Sequence, residues 1–208
     1  MEQPKVIVLT CVYGRHKTVK KCLKQNNIET VAIFSTVEDG LMLKGMDVKH
    51  TFYHSNQPLS DKWNYGVRML KDIDFDHVIM LGSDDYFNDS FLEYVKREAP
   101  KYDLLAFKDI YFEQGSKRYY WSGYECKRQG EPAGAGKVYS KKFLEEIDYN
   151  LFPASRENGL DGMSWKVALR NEVNIKVTSL HENGLFLCDV KDGEGLTPLN
   201  KIKGLIEL

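Results

Sequence analysis

Three short apolar runs, each rich in β-branched residues, constrain the fold of this chain more than any other feature. They are residues 5–10 (KVIVLT), 30–35 (TVAIFS) and 77–81 (HVIML). A run of this kind, without polar alternation, is a strand buried on both faces. Residues 48–53 alternate apolar with polar and form a further strand before HVIML. Between the strands, apolar residues fall at helical spacing. Val19 and Cys22-Leu23 do so within residues 16–25, and Trp63, Val67 and Leu70 do so at i, i+4 and i+7 after Ser60, a suitable N-cap. Ser90-Phe91-Leu92-Glu93 has the capping-box pattern and opens another helix. Strand, helix and strand in this order imply right-handed crossovers and a mostly parallel sheet between layers of helices, an α/β Rossmann-like αβα sandwich.

The second half changes character. It has short aromatic and charged strands at 104–107 and 119–121 and a glycine-rich stretch at 130–136. A short helix at 141–147, a helix at 160–170 and a strand at 173–180 complete it. With 208 residues and no internal repeat or low-complexity linker, one domain is the expectation. Lys and Arg number 29 against 30 Asp and Glu, a net charge of −1. That balance excludes a binder held to nucleic acid by global positive charge, though it leaves room for a local patch. No run of about 18 apolar residues is present, so no membrane helix is expected. The first apolar run is too short for a signal-peptide core, and a soluble, cytoplasmic protein is the expectation. Cys11, Cys22, Cys126 and Cys188 stand far apart with no CxxC pair, which argues for free, mostly buried thiols over zinc or disulfides.

In such sheets ligands bind beyond the carboxyl ends of the strands, where strand order switches. Three polar segments lie there: residues 11–15, residues 36–40 and the turn Gly82-Ser83-Asp84-Asp85. The last delivers two adjacent carboxylates from an apolar strand. Their repulsion is tolerated where a cation sits between them or where both face water. A hard divalent ion, Mn²⁺ or Mg²⁺, takes one or two carboxylates plus diphosphate oxygens. Separately, residues 116–128 (SKRYYWSGYECKR) interleave Lys117, Arg118, Lys127 and Arg128 with Tyr119, Tyr120, Trp121 and Tyr124. Aromatic faces beside cations suit an acceptor platform for a glycan or a nucleic acid. An edge hairpin with its aromatics turned inward accounts for the same pattern.

The run VIMLGSDDYF resembles the strand and DxD-type acidic turn of glycosyltransferases of the GT-A fold, family 2 above all. The resemblance continues in order along the chain. VIVLTCVYGRHKTVKKCL (6–23) is similar to the first strand, nucleotide loop and first helix. TVEDG (36–40) resembles the acidic segment after the second strand, and KWNYG (62–66) the Asn-x-Gly helix. GAGKVYS (134–140) resembles the acceptor-side glycine segment, and ENGLD (157–161) the helix bearing the catalytic base.

The resemblance implies a metal-dependent transfer of sugar from a nucleotide-diphosphate sugar to an acceptor hydroxyl, with inversion. The acceptor would be a glycan or a hydroxylated base in phage DNA. One GT-A domain, 1–208, would bind the nucleotide sugar with 1–100 and the acceptor with 101–208. Asp85 would be the main metal ligand, and Asp84 would bind metal or ribose beside Ser83. Thr10, Cys11, Tyr13 and Arg15 would line the nucleotide, Asp39 would accept from the base, and Lys62 or Asn64 would hold base or phosphate. His181 would join the metal, as a C-terminal His does in some GT-A enzymes. Tyr120, Trp121, Gly134 and Gly136 would form the acceptor side. Asp161 is the expected base and Glu157 its rival, because Leu160 stands where the family's adjacent Glu would be. Asp189-Val190-Lys191 with Leu196-Thr197-Pro198 is a candidate closing segment over the diphosphate. Two alternatives stand beside this reading. One is an inactive nucleotide-sugar-binding protein of the same fold. The other is a nucleotidyltransferase, whose glycine-rich signature the loop CVYGRH lacks.

Overall fold

The computed structural model describes residues 3–46, 48–193 and 198–208. Its centre is a seven-stranded sheet in the order β10-β6-β9-β4-β1-β2-β3. The strands are β1 (Val6–Val12), β2 (Thr30–Phe34), β3 (His50–Tyr53), β4 (His77–Met80), β6 (Leu104–Phe107), β9 (Lys137–Ser140) and β10 (Ile175–Thr178). All run parallel except β9, which lies antiparallel between β4 and β6. The chain winds from β1 outward through β2 to β3, then returns to place β4 on the other side of β1. The switch point therefore falls between the carboxyl ends of β1 and β4.

Both faces of the sheet are covered, which is why its central strands carry no polar alternation. Ile7, Leu9, Val31 and Ile33 pack against α3 (Leu59–Met69), α5 (Lys141–Glu146) and α6 (Leu160–Arg170). On the other face Val12, Val19, Ala32, Met42 and Leu43 join α1 (His16–Asn26) and α2 (Val37–Lys44) to the sheet. Beside them Val6, Val8 and Ile79 meet Phe91 and Val95 of α4 (Asp89–Glu98). A large apolar side chain buried in this way contributes about 1.5–3 kcal/mol.

A second, five-stranded sheet in the order β12-β8-β7-β11-β5 packs its Phe87, Ile110, Phe112 and Leu187 into that same layer. Its strands are β5 (Asp85–Phe87), β7 (Ile110–Gln114), β8 (Lys117–Trp121), β11 (Leu187–Val190) and β12 (Leu205–Glu207). Pairing of β5 with β11 joins residues about a hundred positions apart in sequence.

Several local expectations shift. The polar segment 36–40 is not a loop but the start of α2. Thr36 and Asp39 form a reciprocal capping box there, each accepting the other's backbone N–H at 3.1 Å. Asn88, not Ser90, caps α4, accepting from Phe91 N at 3.0 Å. Helix α3 starts one residue before Ser60, whose buried hydroxyl instead accepts from Arg156 N at 2.7 Å. The four cysteines are free, and Cys126 is exposed. Among the described residues no helix is long and apolar enough to cross a membrane.

Candidate active site

At the switch point, β4 ends and the chain turns through Gly82 into β5. The turn is closed by Asp85 Oδ2, which accepts from Gly82 N at 2.8 Å. Asp85 begins β5 and stands opposite Asp189 of β11 in the antiparallel register. This register brings Asp84, Asp85 and Asp189 together, with one oxygen of each within 4.8 Å of the others. Asp189 is a member that the sequence pattern did not single out as a ligand. Its partner strand lies a hundred residues away, and its only local mark is the neighbouring Lys191.

The cluster is electrostatically strained. Burial, with Asp189 and Asp84 beside it, pushes the Asp85 carboxyl well above the usual carboxylate range. Burial and Asp84 push Asp189 up to about 6, although Lys191 Nζ donates to its Oδ2 at 2.5 Å. Asp189 Oδ1 is buried without a hydrogen-bond partner. Three carboxylates, one with an orphaned buried oxygen, are a donor set suited to a hard divalent cation. On the β1 side, Arg15 Nη1 donates to Asp84 Oδ2 at 2.9 Å and lies 3.5 Å from Asp192.

The other residues expected around the nucleotide divide into two groups. Thr10 sits near the carboxyl end of β1 with its hydroxyl buried and unpartnered, and Tyr13 is exposed in the loop after β1. Burial raises the Cys11 thiol far above its ordinary range, which leaves it neutral. Ser83 is buried in the acidic turn. Asp39, Lys62 and Asn64, by contrast, are occupied within the chain. Asp39 Oδ1 accepts from Gly14 N at 2.9 Å and lies 2.7 Å from His16 Nε2, so it shapes the loop after β1. These hydrogen bonds outweigh burial and hold its carboxyl below the usual range. Lys62 is wholly buried, and its ammonium donates to Val12 O at 2.6 Å and Asn56 Oδ1 at 3.1 Å. Asn64 binds Phe152 through both its amide and its carbonyl, at 2.6 and 2.9 Å, and Asn150 at 3.1 Å. The latter two tie α3 to neighbouring loops and show no face to a ligand.

His181 is not brought to the carboxylates. Side chains alternate along a strand, so Tyr86 and Cys188 point away from the face that carries Asp85 and Asp189. Cys188 stands opposite Tyr111, and Tyr111 OH lies 3.1 Å from His181 Nδ1. His181 thus lines an open groove of about 940 Å³, with Tyr111, Arg118 and Phe186, on the far side of the second sheet. The Tyr120 ring lies 4.9 Å from that of His181, and its hydroxyl donates to the buried Asp109 at 3.0 Å. Trp121 contacts Tyr124 edge to face. Three of the four cations of the basic stretch meet carboxylates: Lys117 with Glu207, Arg118 with Glu113 and Arg128 with Glu131. The stretch is therefore largely neutralised within the chain.

Asp161 lies in the first turn of α6, directly over Gly134. A Cβ on residue 134 would overlap both of its carboxylate oxygens. Beneath that turn, the buried Lys137 ammonium donates to Asp161 O at 2.7 Å and Ser164 Oγ at 3.2 Å, and burial lowers it to about 8. Gly136 has a left-handed φ of 76° and packs against Leu187 of β11. Glu157 is exposed. Leu196 and Thr197 of the candidate closing segment lie outside the described residues.

Among solved structures, the chain superposes on S. aureus TarS. With the fragment 1–349 in complex with UDP-GlcNAc the TM-score is 0.59 at 14% identity, over 92% of this chain and 60% of that one. With the UDP complex it is 0.58 at 15%, over 89% and 60%. The fold is GT-A. At this identity the likeness is one of fold, and the chain spans about 60% of the TarS fragment. No family model and no curated sequence matches it.

Proposed function

We propose that this chain is a metal-dependent glycosyltransferase that moves a sugar from a nucleotide-diphosphate sugar to an acceptor hydroxyl. The observation that carries the reading is the Asp84, Asp85 and Asp189 cluster at the switch point of a GT-A fold. The UDP-GlcNAc and UDP complexes of TarS support a nucleotide-sugar donor.

The donor nucleotide lies against Thr10, Cys11, Tyr13, Arg15 and Ser83, beyond β1 and β4. Asp85, Asp189 and Asp84 would hold Mn²⁺ or Mg²⁺, which would supply charge neutralisation for the departing diphosphate. Asp161 takes the proton from the acceptor hydroxyl as that oxygen forms its bond to the anomeric carbon. The bond from that carbon to the diphosphate oxygen breaks with its electron pair, and attack from the opposite face inverts the centre. The seat of Asp161 on the glycine segment favours it over the exposed Glu157. The internal pairing of the basic stretch favours a sugar hydroxyl over a DNA base as acceptor. Residues 1–208 act as one domain.

A thermal-shift panel of nucleoside diphosphates with and without Mn²⁺ tests the donor site, because a ligand that binds only the folded chain raises its melting temperature. One diphosphate should give a metal-dependent shift, and Asp85→Asn should abolish its metal dependence. No shift for any diphosphate sinks the reading in favour of an inactive fold. Asp161→Asn should preserve donor binding and stop transfer; the same result from Glu157→Gln alone would name the other base.

A further inference from the structure

The carboxylate cluster carries its own counter-ions. Arg15 pairs with Asp84 and lies 3.5 Å from Asp192, and Lys191 pairs with Asp189. With the four carboxylates ionised, the six groups sum to two negative charges. Lys191 is only 8% exposed, and among the described residues its ammonium has one hydrogen-bond acceptor, Asp189, and the Phe112 ring at 5.3 Å. An ammonium has three donors, and among the described residues one of them meets an acceptor. Both residues are also held by backbone outside the carboxylates. Arg15 precedes α1 at a left-handed φ of 47°, and Lys191 N donates to Glu113 O at 2.7 Å. Their long side chains can turn while their Cα atoms stay in place.

We propose that Arg15 and Lys191 are exchangeable counter-ions, which hold the carboxylates in the free chain and pass to the donor diphosphate when a divalent cation enters. The proposal rests on the donor-site reading above. A divalent ion among these carboxylates displaces both cations and raises the site's net charge by two. A displaced, buried ammonium without a partner is costly. An arriving diphosphate removes that cost by accepting from both side chains. Cation and diphosphate therefore bind weakly apart and strongly together, and the coupling is reciprocal.

The test is titration of the full chain with Mn²⁺ alone, followed by electron paramagnetic resonance, and with UDP at saturating Mn²⁺, followed by calorimetry. Arg15→Gln and Lys191→Met should each bind Mn²⁺ alone about fivefold or more tighter than the wild type, because the competing cation is gone. Their UDP affinity should fall about tenfold. Arg15→Lys, which keeps the charge, should return Mn²⁺ affinity toward the wild-type value. If Lys191→Met does not fold, Arg15→Gln decides alone. Mn²⁺ binding that is unchanged or weaker in the variants overturns the exchange and leaves the two side chains as structural ties. Absence of Mn²⁺ binding in every chain overturns it as well. UDP that still raised the melting temperature of those chains would leave the donor site standing, so the two readings fail separately.

Discussion

Asp161 can stand over residue 134 because that residue has no side chain. A methyl group there would fall on the carboxylate itself and force it to turn away or push the first turn of α6 outward. A displacement of about 1 Å at a reacting group can cost about a hundredfold in rate. Gly134→Ala is therefore expected to lower transfer by about that factor while UDP affinity, measured by calorimetry, stays unchanged. Undiminished transfer in this variant would mean that Asp161 does not act from its present seat. The same scale explains why some side chains could not be assigned from sequence. Lys62, Asn64 and Asp39 are polar groups on helix faces turned toward the sheet edge. A polar residue there looks alike whether it serves a ligand or a backbone. Their actual partners, Val12 O at the end of β1, Phe152 and Gly14 N, are brought to them by the tertiary fold, which no local pattern encodes.

Helix α3 is held to the chain at 150–152 by three hydrogen bonds from one side chain, Asn64. Removal of that amide leaves the Phe152 N–H and C=O buried without partners, at about 1–3 kcal/mol for each unsatisfied group. Asn64→Ala should thus lower the urea midpoint by an amount equivalent to about 2–6 kcal/mol with nucleotide affinity intact. Lost affinity at unchanged stability would return Asn64 to the ligand. Elements differ in how far they announce themselves. Strands β1, β2 and β4 did so through continuous β-branched runs, and α6 through Leu160, Met163 and Val167 on one face. Strands β5, β11 and β12 are three or four residues long and gain their identity from pairing with distant partners. The place of β5 and β11 in the second sheet, and with it that of Asp189 opposite Asp85, was therefore invisible locally, whereas the strand at 119–121 and the acidic turn after β4 were plain.

At the scale of the molecule, β9 is the strand that joins the two halves of the central sheet, and Lys137 at its start faces both. Lys137 pairs with Met80 at the end of β4, just before the acidic turn, and its ammonium reaches up under α6. Burial lowers this lysine from 10.5 to about 8. Between those values the unfolded chain holds more protons than the folded one, so stability rises with pH across that window. Below about pH 8 the penalty of an enclosed charge is present in full, and toward pH 10.5 it disappears. The gain is at most about 3 kcal/mol for a shift of this size. Tyrosines and other lysines titrate in the same range, but they cancel in a comparison with Lys137→Met. Urea denaturation at intervals from pH 8 to 10.5 should show wild-type stability rising relative to that variant. A difference that stays flat with pH would show that the ammonium under α6 carries no burial penalty, and that the contact between β9 and the Asp161 turn is neutral to its charge.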